Sequence, residues 1–184
     1  MLDQAIIEFG SPTLARLKFG SLFTVSIGQG FAEELRGFRA ELAAKGVALT
    51  VLRVRDGRAL MYLYRPGELA AAIAREDVWR FLASCGYDTP TVPGVLAHLR
   101  RRLRACPSFP HEIGVFLEYP LSDVLAFIRN GGRNCLCCGC WKVYSNECDA
   151  LRAFARFRKC KEVYGRLFAA GRSLSRLTVA ARTA

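Results

Sequence analysis

The residues with the most chemical capacity lie in "NCLCCGCWKVY", Asn134 to Tyr144, where Cys135, Cys137, Cys138 and Cys140 fall within six positions. A tetrahedral zinc or an iron–sulfur centre needs about four thiolate or imidazole ligands, and a C-x-x-C spacing lets one tight turn aim two sulfurs at one ion. Cys135-x-x-Cys138 and Cys137-x-x-Cys140 both have that spacing, and Cys148 or Cys160 can complete a set. A second clean pair at zinc-ribbon distance is missing. On an extended chain, moreover, Cys138 and Cys140 share one face while Cys137 points to the other. The same spacing suits a redox dithiol, although no strand followed by a helix that opens on the pair is present here. Three readings stay open: bound zinc or iron, thiol redox work, and small cysteines used for packing.

A second candidate is "FPHEIG", which sets the imidazole of His111 beside the carboxylate of Glu112 at an expected helix start. Free backbone N–H groups there can hold an anion. It is not a zinc-protease motif, because the fourth residue after His111 is Val115. With two histidines in the chain, a histidine-rich metal site is excluded. Gly28-Gln29-Gly30 stands between a strand and a helix, where a dinucleotide fingerprint would begin. Glu33 replaces its third glycine, and Arg53 and Arg55 stand where an acidic ribose ligand belongs. These glycines read as a loop and helix start.

The elements that must position these groups fit one domain. The chain has 184 residues, 52% of them hydrophobic, with charges too frequent for a span of about 20 apolar residues. No secretory pattern opens "MLDQAIIEFGSPTL", so a cytoplasmic protein with reduced thiols and no membrane segment is expected. The net charge of +11 gathers in "LRRRLR", from Leu99 to Arg104, and in the stretch after Arg152. Such faces can attract nucleic acid or an acidic partner, or can simply be solvated.

Ser21 to Ile27 reads as a strand, followed by a helix through Phe31, Leu35, Phe38 and Leu42 that Gly46 stops. "VALTVLRV" and "RALMYLY" flank Asp56-Gly57, the pair that most favours a type I′ hairpin. Helices are expected from Pro66 to Arg129, with Cys85 and Cys106 in the core, and Cys140 to Tyr144 reads as a last strand. A long amphipathic helix runs from about Asn146 to Ala170 with Leu151, Phe154, Phe157, Cys160, Tyr164 and Phe168 near one face. The fold expected is α+β: one domain over residues 1–171, with a small mixed or antiparallel sheet of about four strands covered by helices. Those strands are the first, the hairpin and the segment at Trp141. Residues 172–184 are expected to form a basic tail that frays.

"SPTLARLKFGSLF", "LMYLYRP", "FPHEIGVFLEYPLSDVLAFI" and "CGCWKVY", with "FRKC" on the following helix, resemble in that order an uncharacterised domain-of-unknown-function family of anaerobic bacteria. The match covers most of the chain. Lys18, His111, Glu112, Gly114, Tyr119, Cys138, Gly139, Trp141, Lys142 and Cys160 lie on the family's pattern. Cys135, Cys137 and Cys140 are additions, and Phe9-Gly10 stands where the family resembles His-Cys. The resemblance implies no activity. It favours a polar pocket for a small ligand or metal built from Lys18, His111, Glu112, Cys138, Trp141 and Lys142, with Tyr119 beside them. In an enzyme, His111 would move the proton, Glu112 would orient it, and Lys18 or Lys142 would hold an anionic substrate. Two alternatives remain. One is an iron- or zinc-handling or thiol-redox accessory protein using Cys138, Cys160, Cys135, Cys137 and Cys140, and the other is a basic module for nucleic acid or an acidic partner.

Overall fold

The Asp56-Gly57 turn forms with both residues at positive φ, 50° and 67°, and joins β2 (Ala48–Arg55) to β3 (Arg58–Tyr64). With β1 (Gly20–Ser26) these strands make an antiparallel sheet in the order β1-β3-β2. The computed structural model describes residues 1–105 and 109–181. The central strand has side chains buried on both faces because alternate residues feed two cores. Leu60, Tyr62 and Tyr64 enter one, while Ala59, Met61 and Leu63 enter the other. That is why "RALMYLY" is apolar almost throughout. Leu52 is an extra residue in β2, since the register passes from Val51 opposite Met61 to Arg53 opposite Leu60. The bulge places Leu52 in the first core.

The first core is closed by α3 (Pro66–Ile73), α4 (Glu76–Ser84) and α5 (Val92–Ala105), through Leu69, Leu82, Leu96 and Leu99, with Cys85 packed against it as expected. Cys106 lies outside the described residues. The basic run on α5 is partly engaged with the protein itself. Arg100 donates to the Val51 carbonyl (3.2 Å) and to Thr50 Oγ1 (2.6 Å) on the edge strand β2.

On the other face lie α1 (Leu2–Leu14), α2 (Phe31–Ala43), which starts after the Gly28-Gln29-Gly30 loop, and α8 (Glu147–Ala169). The first helix, which was not anticipated, runs through Gly10 and Pro12, two residues that disfavour an isolated helix. Gly10 is instead a contact point, since a Cβ there would lie 2.5 Å from Leu63 Cδ2. The Ser11 hydroxyl donates to the Ile7 carbonyl beside the proline. On α8, Phe157 and Cys160 are buried, but Leu151 is 49% exposed and falls off the expected face.

Two further expectations are corrected. The part of this tail among the described residues, 172–181, is docked: Leu174 and Leu177 of α9 (Leu174–Leu177) enter the second core. The Val179 N–H bonds to the Leu14 carbonyl, and the buried Arg65 donates to the carbonyls of Thr13, Leu14 and Val179. The strand near Trp141 does not join the main sheet either. Among the described residues, β4 (Cys137–Cys138) and β5 (Lys142–Val143) pair only with each other, and hydrogen bonds tie this hairpin to a helix instead. That helix is α7 (Leu121–Arg129), which follows the short α6 (Ile113–Phe116). The Phe116 carbonyl accepts from the Tyr62 hydroxyl at 2.6 Å and so pins α6 to the sheet. Gly20 permits that approach, because a Cβ there would collide with the same carbonyl.

Candidate functional site

Asp123 holds the site together. It lies on the first turn of α7, is 2% exposed, and uses both carboxylate oxygens. Oδ1 accepts from the Tyr144 N–H (3.0 Å), the Ser145 N–H (2.9 Å) and the Ser145 hydroxyl (3.0 Å), while Oδ2 accepts from Trp141 Nε1 (2.8 Å). The indole is thereby fixed between two rings. It stacks on Tyr119 with centroids 5.1 Å apart and meets Phe154 edge-on at 4.5 Å. The Tyr119 hydroxyl donates to the Cys140 carbonyl at 2.9 Å. Burial pushes this phenol up to about 12, so it stays a neutral donor near neutral pH. Gly139 has no room for a side chain, since a Cβ would run into the Phe154 ring.

Around this frame lies a cavity of about 360 Å³. Tyr119, Phe127 and Trp141 supply aromatic surface, and His111, Cys138 and Lys142 supply its exposed polar groups. The His111 ring meets Phe127 edge-on at 5.0 Å. Lys142 Nζ donates to the Gly132 carbonyl at 2.7 Å and lies 5.9 Å from the Phe127 ring centre. Its two remaining N–H bonds can serve a ligand.

Five of the expected site residues thus share one space: His111, Tyr119, Cys138, Trp141 and Lys142. Glu112 does not join them. It is 3% exposed and pairs with Arg102 Nε at 3.0 Å, so its carboxylate belongs to α5 and does not orient His111. Lys18 is in a second cavity of about 190 Å³ together with Cys140, Phe157 and Lys161, and Tyr119 lines both spaces. Asp123 and Phe127 went unnoticed as site residues, because an acid in a first helical turn and a phenylalanine on an apolar face are ordinary. The one signal was that both lie inside the longest stretch of family resemblance.

The cysteines are only partly gathered. Cys135 and Cys138 place their sulfurs 3.2 Å apart. The thiol of Cys138 is raised above its ordinary value, first by its hydrogen bond to Cys135 and then by partial desolvation. Cys160 is buried on α8, and burial pushes its thiol up to about 11. Among the described residues, no three side chains of His, Cys, Asp or Glu converge in a way that would hold a metal ion. The Cys138–Cys160–His111 set and the four-thiolate set in the hairpin therefore lack the required geometry.

Among the described residues, no helix is long and apolar enough to cross a membrane. Comparison with curated proteins and with solved structures returns no match. A family model does match over residues 6–178, nearly the whole chain and with it every residue of both cavities, so the chain belongs to DUF3793, a family of proteins of unknown function.

Proposed function

We propose that this protein binds a small planar organic molecule carrying an acidic group in the cavity beside Trp141. The carrying observation is the composition of that cavity: three aromatic side chains, one imidazole and one ammonium around about 360 Å³. Aromatic faces favour a flat apolar body, and Lys142 favours a negative substituent. Should the bound molecule react, the His111 imidazole is the group placed to exchange a proton with it, without help from Glu112.

A fluorescent aromatic sulfonate, 8-anilinonaphthalene-1-sulfonate, has the required shape and charge. In a Trp79→Phe background, which leaves Trp141 as the reporter, the native protein is expected to bind it saturably with quenching of the indole. Lys142→Ala and His111→Ala should each weaken binding by about 5- to 20-fold, corresponding to one lost charged or polar contact. Unchanged affinity in both variants, in proteins that still fold, removes this reading.

The 3.2 Å sulfur separation favours a second reading, in which Cys135 and Cys138 form a reversible disulfide. The two thiols would give two electrons and two protons to a two-electron acceptor such as a low-molecular-weight disulfide, leaving one S–S bond. Mild treatment with oxidised glutathione should remove two hydrogens from the peptide carrying both cysteines, and Cys135→Ser should prevent it. A protein that keeps both thiols under these conditions is not a dithiol switch.

A further inference from the structure

The second cavity has a chemistry of its own. Lys18 follows α1 and is half-buried, with Nζ 5.5 Å from the Tyr119 ring centre and 5.8 Å from that of Phe157. Among the described residues, its ammonium has no hydrogen bond or ion pair to an acid. Cys140 and, after it, Glu118 act on it electrostatically, and Glu118 Oε2 accepts from the Phe19 N–H. A second ammonium, Lys161 on α8, lines the same space and stands 5.9 Å from the Phe9 ring centre. The groups facing Lys18 are therefore Glu118 and Tyr119 from the α6–α7 connection, Cys140 from the hairpin and Lys161 from α8. A half-buried ammonium without a paired acid among the described residues, in an aromatic-walled space with a second, exposed ammonium at its rim, is poorly explained by packing alone, because burying an ammonium is disfavoured unless it is compensated.

We propose that this cavity takes a small carbonyl compound bearing a carboxylate, with Lys18 as the nucleophile and Lys161 as the holder of the carboxylate. Desolvation and a neighbouring cation are the two devices that free a lysine amine for attack, and both are present. Burial, as the leading influence, brings Lys18 down to about 8. In the reaction, the amine nitrogen attacks the carbonyl carbon and a C=N bond replaces the C=O bond. The oxygen leaves as water with the two amine protons. At about 190 Å³ this space is roughly half the size of the Trp141 cavity, which favours a small compound such as a two- or three-carbon oxo acid. This inference does not depend on the Trp141 cavity binding anything.

The test uses glyoxylate with sodium cyanoborohydride, which reduces the imine to a stable secondary amine, followed by peptide mapping. At pH 7 Lys18 should be labelled about 100-fold faster than an ordinary lysine with a pKa near 10.5, in keeping with its larger neutral fraction, with the other lysine peptides of the map as the internal comparison. Lys18→Arg should abolish the fast label. Lys161→Gln, at an exposed position, should raise the half-saturating glyoxylate concentration several-fold and move the pH midpoint of labelling upward. Labelling of Lys18 at the pace of the other lysines would overturn the proposal, as would saturable glyoxylate binding without a reducible adduct. A Lys161→Gln variant unchanged in both concentration and pH dependence would overturn the assignment of Lys161.

Discussion

Asp123 shows how much one side chain can organise. Its removal in Asp123→Ala strands the N–H groups of Tyr144 and Ser145 and leaves the Trp141 indole without its acceptor. We expect a loss of about 3–5 kcal/mol in urea unfolding, together with loss of sulfonate binding. Gly139→Ala should cost about 1–3 kcal/mol, because the new methyl group forces the Phe154 ring to move. Lys18 gives a pH signature. Its folded value of about 8 lies below the ordinary 10.5, so between these limits the unfolded chain holds more protons than the folded one. Stability contributed by this group must therefore rise as pH increases from about 8 to 10.5. Lys18→Met, compared with the parent over that range, should lose a rise of about 1–3 kcal/mol. At this scale the sequence was informative about identity more than placement. His111, Tyr119, Cys138, Trp141 and Lys142 do share a cavity, yet adjacent Glu112 turns inward to Arg102. Neighbours in a helical segment point about 100° apart, and which of them meets the core depends on what packs there.

At the scale of elements, periodicity told most where one face is apolar and the other polar. The α2 stripe and the extent of α8 were legible for that reason, and the Asp56-Gly57 turn because that pair favours positive φ at both turn positions. What alternation does not encode is a strand's partner. The segment around Lys142 has a strand-like pattern, but its neighbours are its own hairpin and the carboxylate of Asp123. The helix through Gly10 and Pro12 was hidden for a different reason. Residues that break an isolated helix are tolerated where tertiary contacts use them, as Leu63 uses the missing Cβ of Gly10. The same contact means that Gly10→Ala, a favourable change in a free helix, should here destabilise the protein by about 1–3 kcal/mol in thermal unfolding.

For the whole molecule, the chain closes on itself more tightly than its basic composition suggests. Arg65 is 1% exposed and joins the end of α1 to Val179, while Leu174 and Leu177 complete the second core. Truncation after Gly171 should remove about 5 kcal/mol, enough to leave a typical domain largely unfolded by circular dichroism. The charge count left a nucleic-acid module as one alternative beside a solvated face, and Arg100 and Arg102 of the α5 run are turned to Thr50, Val51 and Glu112. What the fold presents most distinctively is the aromatic cavity that α6, α7 and the cysteine hairpin build together. The most direct measurement is a nitrogen–proton correlation spectrum of the labelled protein during titration with 8-anilinonaphthalene-1-sulfonate. The Trp141 indole N–H and the amides of Gly139, Lys142 and Phe127 are expected to shift together and saturate. Shifts confined to the basic faces of α5 and α8, with the Trp141 indole unmoved, would contradict binding in the aromatic cavity.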